Sequence, residues 1–241
     1  MAGELQGSKV HEVMYASLLG EYGPRTMAGY RRLRDVVDED RALPAWFKSL
    51  AVACAAASKG YPDLVKFQIR TGHVRGLTLE QCMGGVITLT SARGAGAAMM
   101  LLDVVADIYN ARNEHLDVVP SIEVAPGEAE ANFRSYMGGE LHPNFAALLE
   151  ASQELADAYY LLRTGTLNHN RLDSKLAELL LVAVLAADYQ AAVSIHMGGA
   201  RRAGASDAEI IEAIACAFPV SGLAGLVTGV SALVEMNKAQ G

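Results

Sequence analysis

Apolar residues recur along this chain at three- and four-residue spacing, the mark of helices that bury one face. In 25–39, Met27, Tyr30, Leu33 and Val37 fall on one side, and Arg31, Arg32, Arg34 and Asp38 on the other. Phe145, Leu148, Leu149, Leu155, Tyr159 and Leu162 form the apolar side of a longer stretch, 143–163, closed by Gly165. No segment alternates apolar and polar residues as a half-buried strand would. Punctuation places the remaining helices. Pro44, Pro62 and Pro143 stand where a first helical turn accepts proline. Gly76 and Gly204 stand where helices stop. Thr78 with Gln81, and Ser206 with Glu209, are capping boxes, and Asp173 caps another helix. The pattern predicts helices over 10–19, 25–39, 44–58, 62–75, 79–91, 97–112, 129–137, 143–163, 174–187, 190–202, 207–217 and 223–238, after a loose start at 1–8.

The punctuation repeats. Gly76 and Gly204, Gly94 and Gly222, Thr78 and Ser206, and Tyr61 and Tyr189 are each 128 positions apart. Upstream of the Tyr61 and Tyr189 corners the shift becomes 129, so the second copy is one residue shorter there. Helix stop, cap, break and corner recurring in one order indicate two copies of one helical unit. The expected organisation is an N-terminal unit at 1–112, a linker at 113–128 containing Pro120, Pro126 and Gly127, and a C-terminal unit at 129–241.

Composition narrows the function. The chain of 241 residues is 51% hydrophobic but only 6% aromatic, so small aliphatic side chains dominate, as in closely packed helices. A net charge of −7, from 20 basic and 27 acidic residues, argues against a nucleic-acid partner. The longest apolar run, 179–187, is about half the ~18 residues that a membrane span needs. The N-terminal residues lack the apolar block of a signal peptide, so a cytoplasmic location without membrane contact is expected. Cys54, Cys82 and Cys216 form no Cys-x-x-Cys pair and read as small buried hydrophobes. Ala92-Arg93-Gly94-Ala95-Gly96 lacks the Lys-Ser/Thr of a phosphate loop and reads as a close helix approach. His73, His115, His142 and His169 have no ligand spacing, so no metal is assigned.

One acid–base couple stands out. Glu178 lies among Leu176, Leu179, Leu180 and Leu181, and His196 lies between Ile195 and Met197. Each has an ordinary alternative: Glu178 a surface pair with Lys175, His196 a hydrogen-bonded core residue. The earlier copy has Ser49 and Gln68 in their places.

A helix with an early Glu, a corner, a helix carrying His, Gly eight residues on and then a capped helix resembles the carboxymuconolactone decarboxylase and alkyl hydroperoxidase D superfamily. Glu178, His196, Gly204 and Ser206 carry the resemblance, and 60–70, with Pro62, Phe67 and Arg70, resembles the decarboxylase branch. It implies an all-α fold of two tandem units of that superfamily. It also implies cofactor-independent lyase or decarboxylase chemistry on a small oxo-acid or lactone. His196 would be the general acid/base and Glu178 the partner that holds its tautomer. Tyr189 and Arg70 would be substrate-binding, the latter through a substrate carboxylate, although corner packing and a solvated helix face explain them too. Thiol peroxidase chemistry needs cysteines seven and four residues before the His, where Tyr189 and Ala192 stand. A catalytically inactive binding or scaffold role is the other alternative. The shorter second copy would turn Glu178 by ~100° from the superfamily register unless the corner absorbs the change. Single-unit relatives form hexamers, so a fused pair implies a homotrimer built through Ala/Gly-rich helix faces.

Overall fold

A computed structural model describes residues 16–111 and 121–238. These residues form helices and no strand, so the fold is all-α. Two helices, α1 (Ala16–Tyr22) and α2 (Pro24–Asp38), lead into a run of four: α3 (Ala45–Lys59), α4 (Pro62–Val74), α5 (Leu79–Arg93) and α6 (Ala95–Tyr109). Three more, α7 (Glu128–Tyr136), α8 (Pro143–Ala151) and α9 (Gln153–Leu167), precede a second run of four: α10 (Ser174–Ala187), α11 (Val193–Arg202), α12 (Asp207–Ala215) and α13 (Phe218–Lys238). The expected start at 1–8, most of the 10–19 helix and 113–120 of the expected linker lie outside the described residues.

The two runs of four share their punctuation at the level of backbone conformation. Gly76 and Gly204 have φ of 91° and 90°. Gly94 (φ 78°, ψ −177°) separates α5 from α6, and Gly222 (φ 62°, ψ −155°) kinks α13 near its start. Both capping boxes are formed, Thr78 with Gln81 and Ser206 with Glu209. At the corners, however, the left-handed residues are Gly60 (φ 77°) and Tyr189 (φ 58°), so Tyr189 matches Gly60 and not Tyr61. The missing residue of the second run therefore falls just after the corner. Three tight bonds take it up, from the N–H groups of Val193, Ser194 and Ile195 to the carbonyls of Gln190, Ala191 and Ala192. For that reason α11 starts at Val193 and not at 190, and the register of α10 is preserved.

Two further expectations need correction. The stretch 143–163 is not one helix. Ser152 turns extended (φ −165°) and its hydroxyl accepts from the Leu155 N–H, which starts α9 afresh. Gly165 does not end that helix, which continues to Leu167.

Helices α3 and α10 pack together at the centre of one continuous core. Residues 47–57 of α3 and 177–187 of α10 are buried on every side. Ala51, Ala53, Ala55, Ala183, Ala186 and Ala187 are all fully buried or nearly so, and such small side chains let helix axes approach closely. Helices α7 to α9 have a small separate core around Phe145, Ala129 and Ala156. They dock on the rest partly through polar contacts, Ser91 with Thr166 (2.6 Å) and Asn170 Nδ2 donating to Thr88 Oγ1 (3.1 Å).

Buried charge ties the two runs together. Lys48, with no exposed surface, donates to Glu212 Oε2 at 2.9 Å and to the Val36 carbonyl at 2.6 Å. The Glu212 carboxylate also accepts from the Ala42 and Leu43 N–H groups. At the other end Asp188 meets Arg93 at 2.8 Å and Lys59 at 3.0 Å. Removing one partner of such a pair strands the other charge. Glu212→Ala is expected to lower unfolding stability by about 3–5 kcal/mol, measured by denaturant titration. A loss below about 1 kcal/mol would mean that solvent reaches Lys48.

Candidate active site

Glu178 is the fifth residue of α10, one turn past the Asp173 cap, and only 4% of its surface is exposed. His196 sits in the first half of α11. Because the corner absorbs the shorter connection, the two side chains face each other. His196 Nδ1 lies 2.7 Å from Glu178 Oε2. The alternative pairing of Glu178 with Lys175 is not found, since Lys175 bonds Glu209 at 2.7 Å.

Two residues that sequence reasoning missed hold the carboxylate in place. A Cβ on Gly199 would come within 2.1 Å of Glu178 Oε1, so α11 can lie over the carboxylate only because this position has no side chain. Tyr136, the last residue of α7, donates its hydroxyl to Glu178 Oε1 at 3.1 Å. Burial first, and then the Glu178 charge, push the Tyr136 phenol above its ordinary pKa, so it remains a proton donor at neutral pH. Guanidinium groups stack on its ring, Arg163 at 3.8 Å and Arg202 at 4.8 Å from the centroid. The Gly198-Gly199 doublet was a signal for the close approach. Tyr136, on a helix distant in sequence, gave none.

Beside the pair lies a half-open cavity of about 440 Å³. His196, Ile195 and Ala192 form one wall, with Leu181 and Leu185 of α10 and Ser91 and Ala92 of α5. The facing wall comes from α7, α8 and α9, including Phe133, Tyr136, Phe145, Leu148, Tyr159 and Arg163. With Nδ1 held by Glu178, Nε2 is the imidazole nitrogen left for chemistry on the cavity side. The side chain of His196 is 22% exposed, which suits a group that must meet a substrate.

Residues 153–235 match the carboxymuconolactone decarboxylase family. The C-terminal part of the chain is therefore similar to that family. The match holds Arg163, Glu178, His196 and Gly199, while α7 and α8 lie before it. No curated protein matches the chain.

Beyond Glu178 and His196, the other expected site residues lie away from the cavity. Tyr189 does not line the cavity. It is held at the corner, its hydroxyl 3.4 Å from the Ser221 carbonyl and its ring under Lys59 at 4.7 Å. Its left-handed backbone belongs to the turn, so the residue serves the corner. Arg70 lies on α4 in a shallow polar depression with Lys66, Val104, Asp107 and Ile108, and is likewise absent from the cavity of its own chain. In the first run Ser49 is also the fifth residue of its helix, but it accepts from Arg75 Nη1 at 3.2 Å. Arg75 and Arg34 both bond Asp38. Gln68 is fully buried in the place of His196. An acid–base couple is thus present in only one of the two runs.

All three thiols are buried, and burial is the main cause that raises each: Cys54 well above the ordinary value, Cys82 to about 11 and Cys216 to about 12. None is a thiolate at neutral pH. Among the described residues no three His, Cys, Asp or Glu side chains cluster as a metal site. Gly199→Ala is expected to push Glu178 off His196. The hydrogen-bonded Nδ1 proton signal of His196 should vanish from the NMR spectrum, and stability should fall by about 1–3 kcal/mol. An unchanged imidazole spectrum would contradict the role given to Gly199.

Proposed function

We propose that the chain is a cofactor-independent lyase of the decarboxylase type, acting on a small oxo-acid or lactone. The supporting observation is the 2.7 Å contact that orients His196 from a buried carboxylate beside a cavity. Glu178 accepts the Nδ1–H, fixes the tautomer and stabilises the imidazolium that forms during turnover. Nε2 is then free to take a proton from substrate or to return one to carbon. In a decarboxylation the bond between carbon and carboxylate breaks, its electron pair moves into the substrate's own conjugated carbonyl, and carbon dioxide leaves. The Nε2 proton then adds to the resulting carbanion equivalent. The buried, protonated cysteines and the missing Cys-x-x-Cys support this reading over thiol peroxidase chemistry.

On this reading the chain is a duplicated pair of units in which the first has become structural. Ser49, Gln68 and Arg75 occupy the place where proton transfer would occur. We also propose that three chains assemble into a ring. Matching helices of the two runs leave matching apolar residues exposed: Met99 and Leu102 on α6, and Val227 and Val230 on α13, with Leu223 and Val234 extending the latter stripe. Apolar side chains in register on two helices suit a face covered by another copy.

Screening a panel of lactones and oxo-acids for carbon dioxide release tests the chemistry. His196→Ala should lower any turnover by about 10²–10⁴-fold or more with the circular dichroism spectrum intact, and unchanged turnover rejects the assignment. Light scattering should give a mass of three chains. Val227→Glu with Val230→Glu should reduce it to one chain, and a wild-type monomer would refute the ring.

A further inference from the structure

The walls of the cavity narrow the chemistry of what enters it. Its lining is mainly aromatic and aliphatic. Phe133 and Phe145 stack at 4.1 Å with their planes within 7°, and Tyr159 lies against both. Met137, Tyr159, Leu162 and Ile195 line the cavity yet remain 38–48% exposed, an apolar surface left open to water. Against this stands one fixed charge. Among the described lining residues Arg163 is the only Lys or Arg, and none is Asp or Glu. Its Nη1 donates to the side-chain amide oxygen Oδ1 of Asn132 at 2.9 Å and its face lies on Tyr136, but no carboxylate is within ion-pair distance among the described residues. Glu178, behind His196, is already committed to the imidazole and to Tyr136. In a chain of net charge −7, a half-buried cation facing an apolar cavity, with no counter-ion among the described residues, is a place for one anion.

We infer that the cavity binds an aryl- or alkyl-substituted monocarboxylate, with its carboxylate on Arg163 and its apolar body against Phe133, Phe145 and Leu148. The assignment rests on the proposed active site for its location but not for its energetics. A guanidinium fork matches a carboxylate, and the open aromatic wall provides the burial that a small acid needs. A dicarboxylate would place its second charge among these rings without a partner, so the cavity selects against it. Most of that wall comes from α7 and α8, which lie outside the matched family segment. The proton-transfer pair and Arg163 thus lie within the matched segment, and Phe133, Phe145 and Leu148 before it.

Calorimetric titration of the full chain with 3-phenylpropanoate, its amide and adipate tests this. The monocarboxylate should bind at least about tenfold more tightly than either comparator, as expected for a charge-assisted bidentate contact. Arg163→Gln should abolish its advantage over the amide, and Arg163→Lys should restore part of it. Leu162→Asp, at a half-exposed position where folding is not at stake, should weaken the monocarboxylate by about tenfold. His196→Gln should leave binding in place. Loss of turnover without loss of binding then separates the proton-transfer assignment from this one. Adipate bound as tightly as phenylpropanoate, an acid-over-amide preference that survives Arg163→Gln, or no binding of any probe would each overturn the inference.

Discussion

Burying the carboxylate of Glu178 creates a demand that several elements must answer together. A charged group taken out of water is tolerated only where hydrogen bonds replace hydration. Here one oxygen is met by His196 and the other by Tyr136. Meeting it also requires α11 to lie close enough to α10 that no side chain fits at Gly199. Three helices are thereby fixed relative to one another by one group. The same constraint orients the imidazole, since the nitrogen that satisfies the carboxylate cannot also face the cavity.

The close approach of α10 and α11 is one case of a wider rule in this molecule. Alanine and glycine at helix contacts bring backbones together in both runs of four helices, and α3 and α10 make the centre. Within that frame the polar interiors of the two runs differ. Where α10 carries Glu178, α3 carries Ser49, satisfied by Arg75 and through it connected to Asp38 and Arg34. In the first run the buried polar groups therefore serve as cross-bracing. Lys48 with Glu212, and Asp188 with Arg93 and Lys59, do the same between the runs. Buried ion pairs of this kind contribute little net stability over apolar packing, but each partner is costly to lose, so they specify one docking arrangement.

A division of labour follows for the site. The pair that can move a proton sits on α10 and α11, where the two backbones approach most closely. The opposite wall is supplied by α7 to α9, which have their own small core and meet the main body partly through polar contacts. Such a segment can change its lining residues without disturbing the pair.

Much of the fold was legible in the residues themselves, because helix boundaries here are set by local chemistry. Asp173, Thr78 and Ser206 satisfy N–H groups within their own first turns, and Gly76 and Gly204 adopt a conformation that other residues avoid. Those effects act over three or four residues and need no partner from afar. The Glu178–His196 couple was readable through the family resemblance, which pairs an early Glu on one helix with a His on the next, whereas the corner that lets them face each other was seen only in the structure. Ser152 was overlooked because its capping bond competes with an uninterrupted apolar stripe, and the stripe is the louder signal. Tyr136 and Arg163 were out of reach altogether, and Tyr189 and Arg70 do not line the cavity of their own chain. Which side chains line a cavity depends on how α7 to α9 fold back over α10 and α11, and that docking is decided by packing and buried polar contacts between residues far apart in sequence. Periodicity and caps carry no record of it.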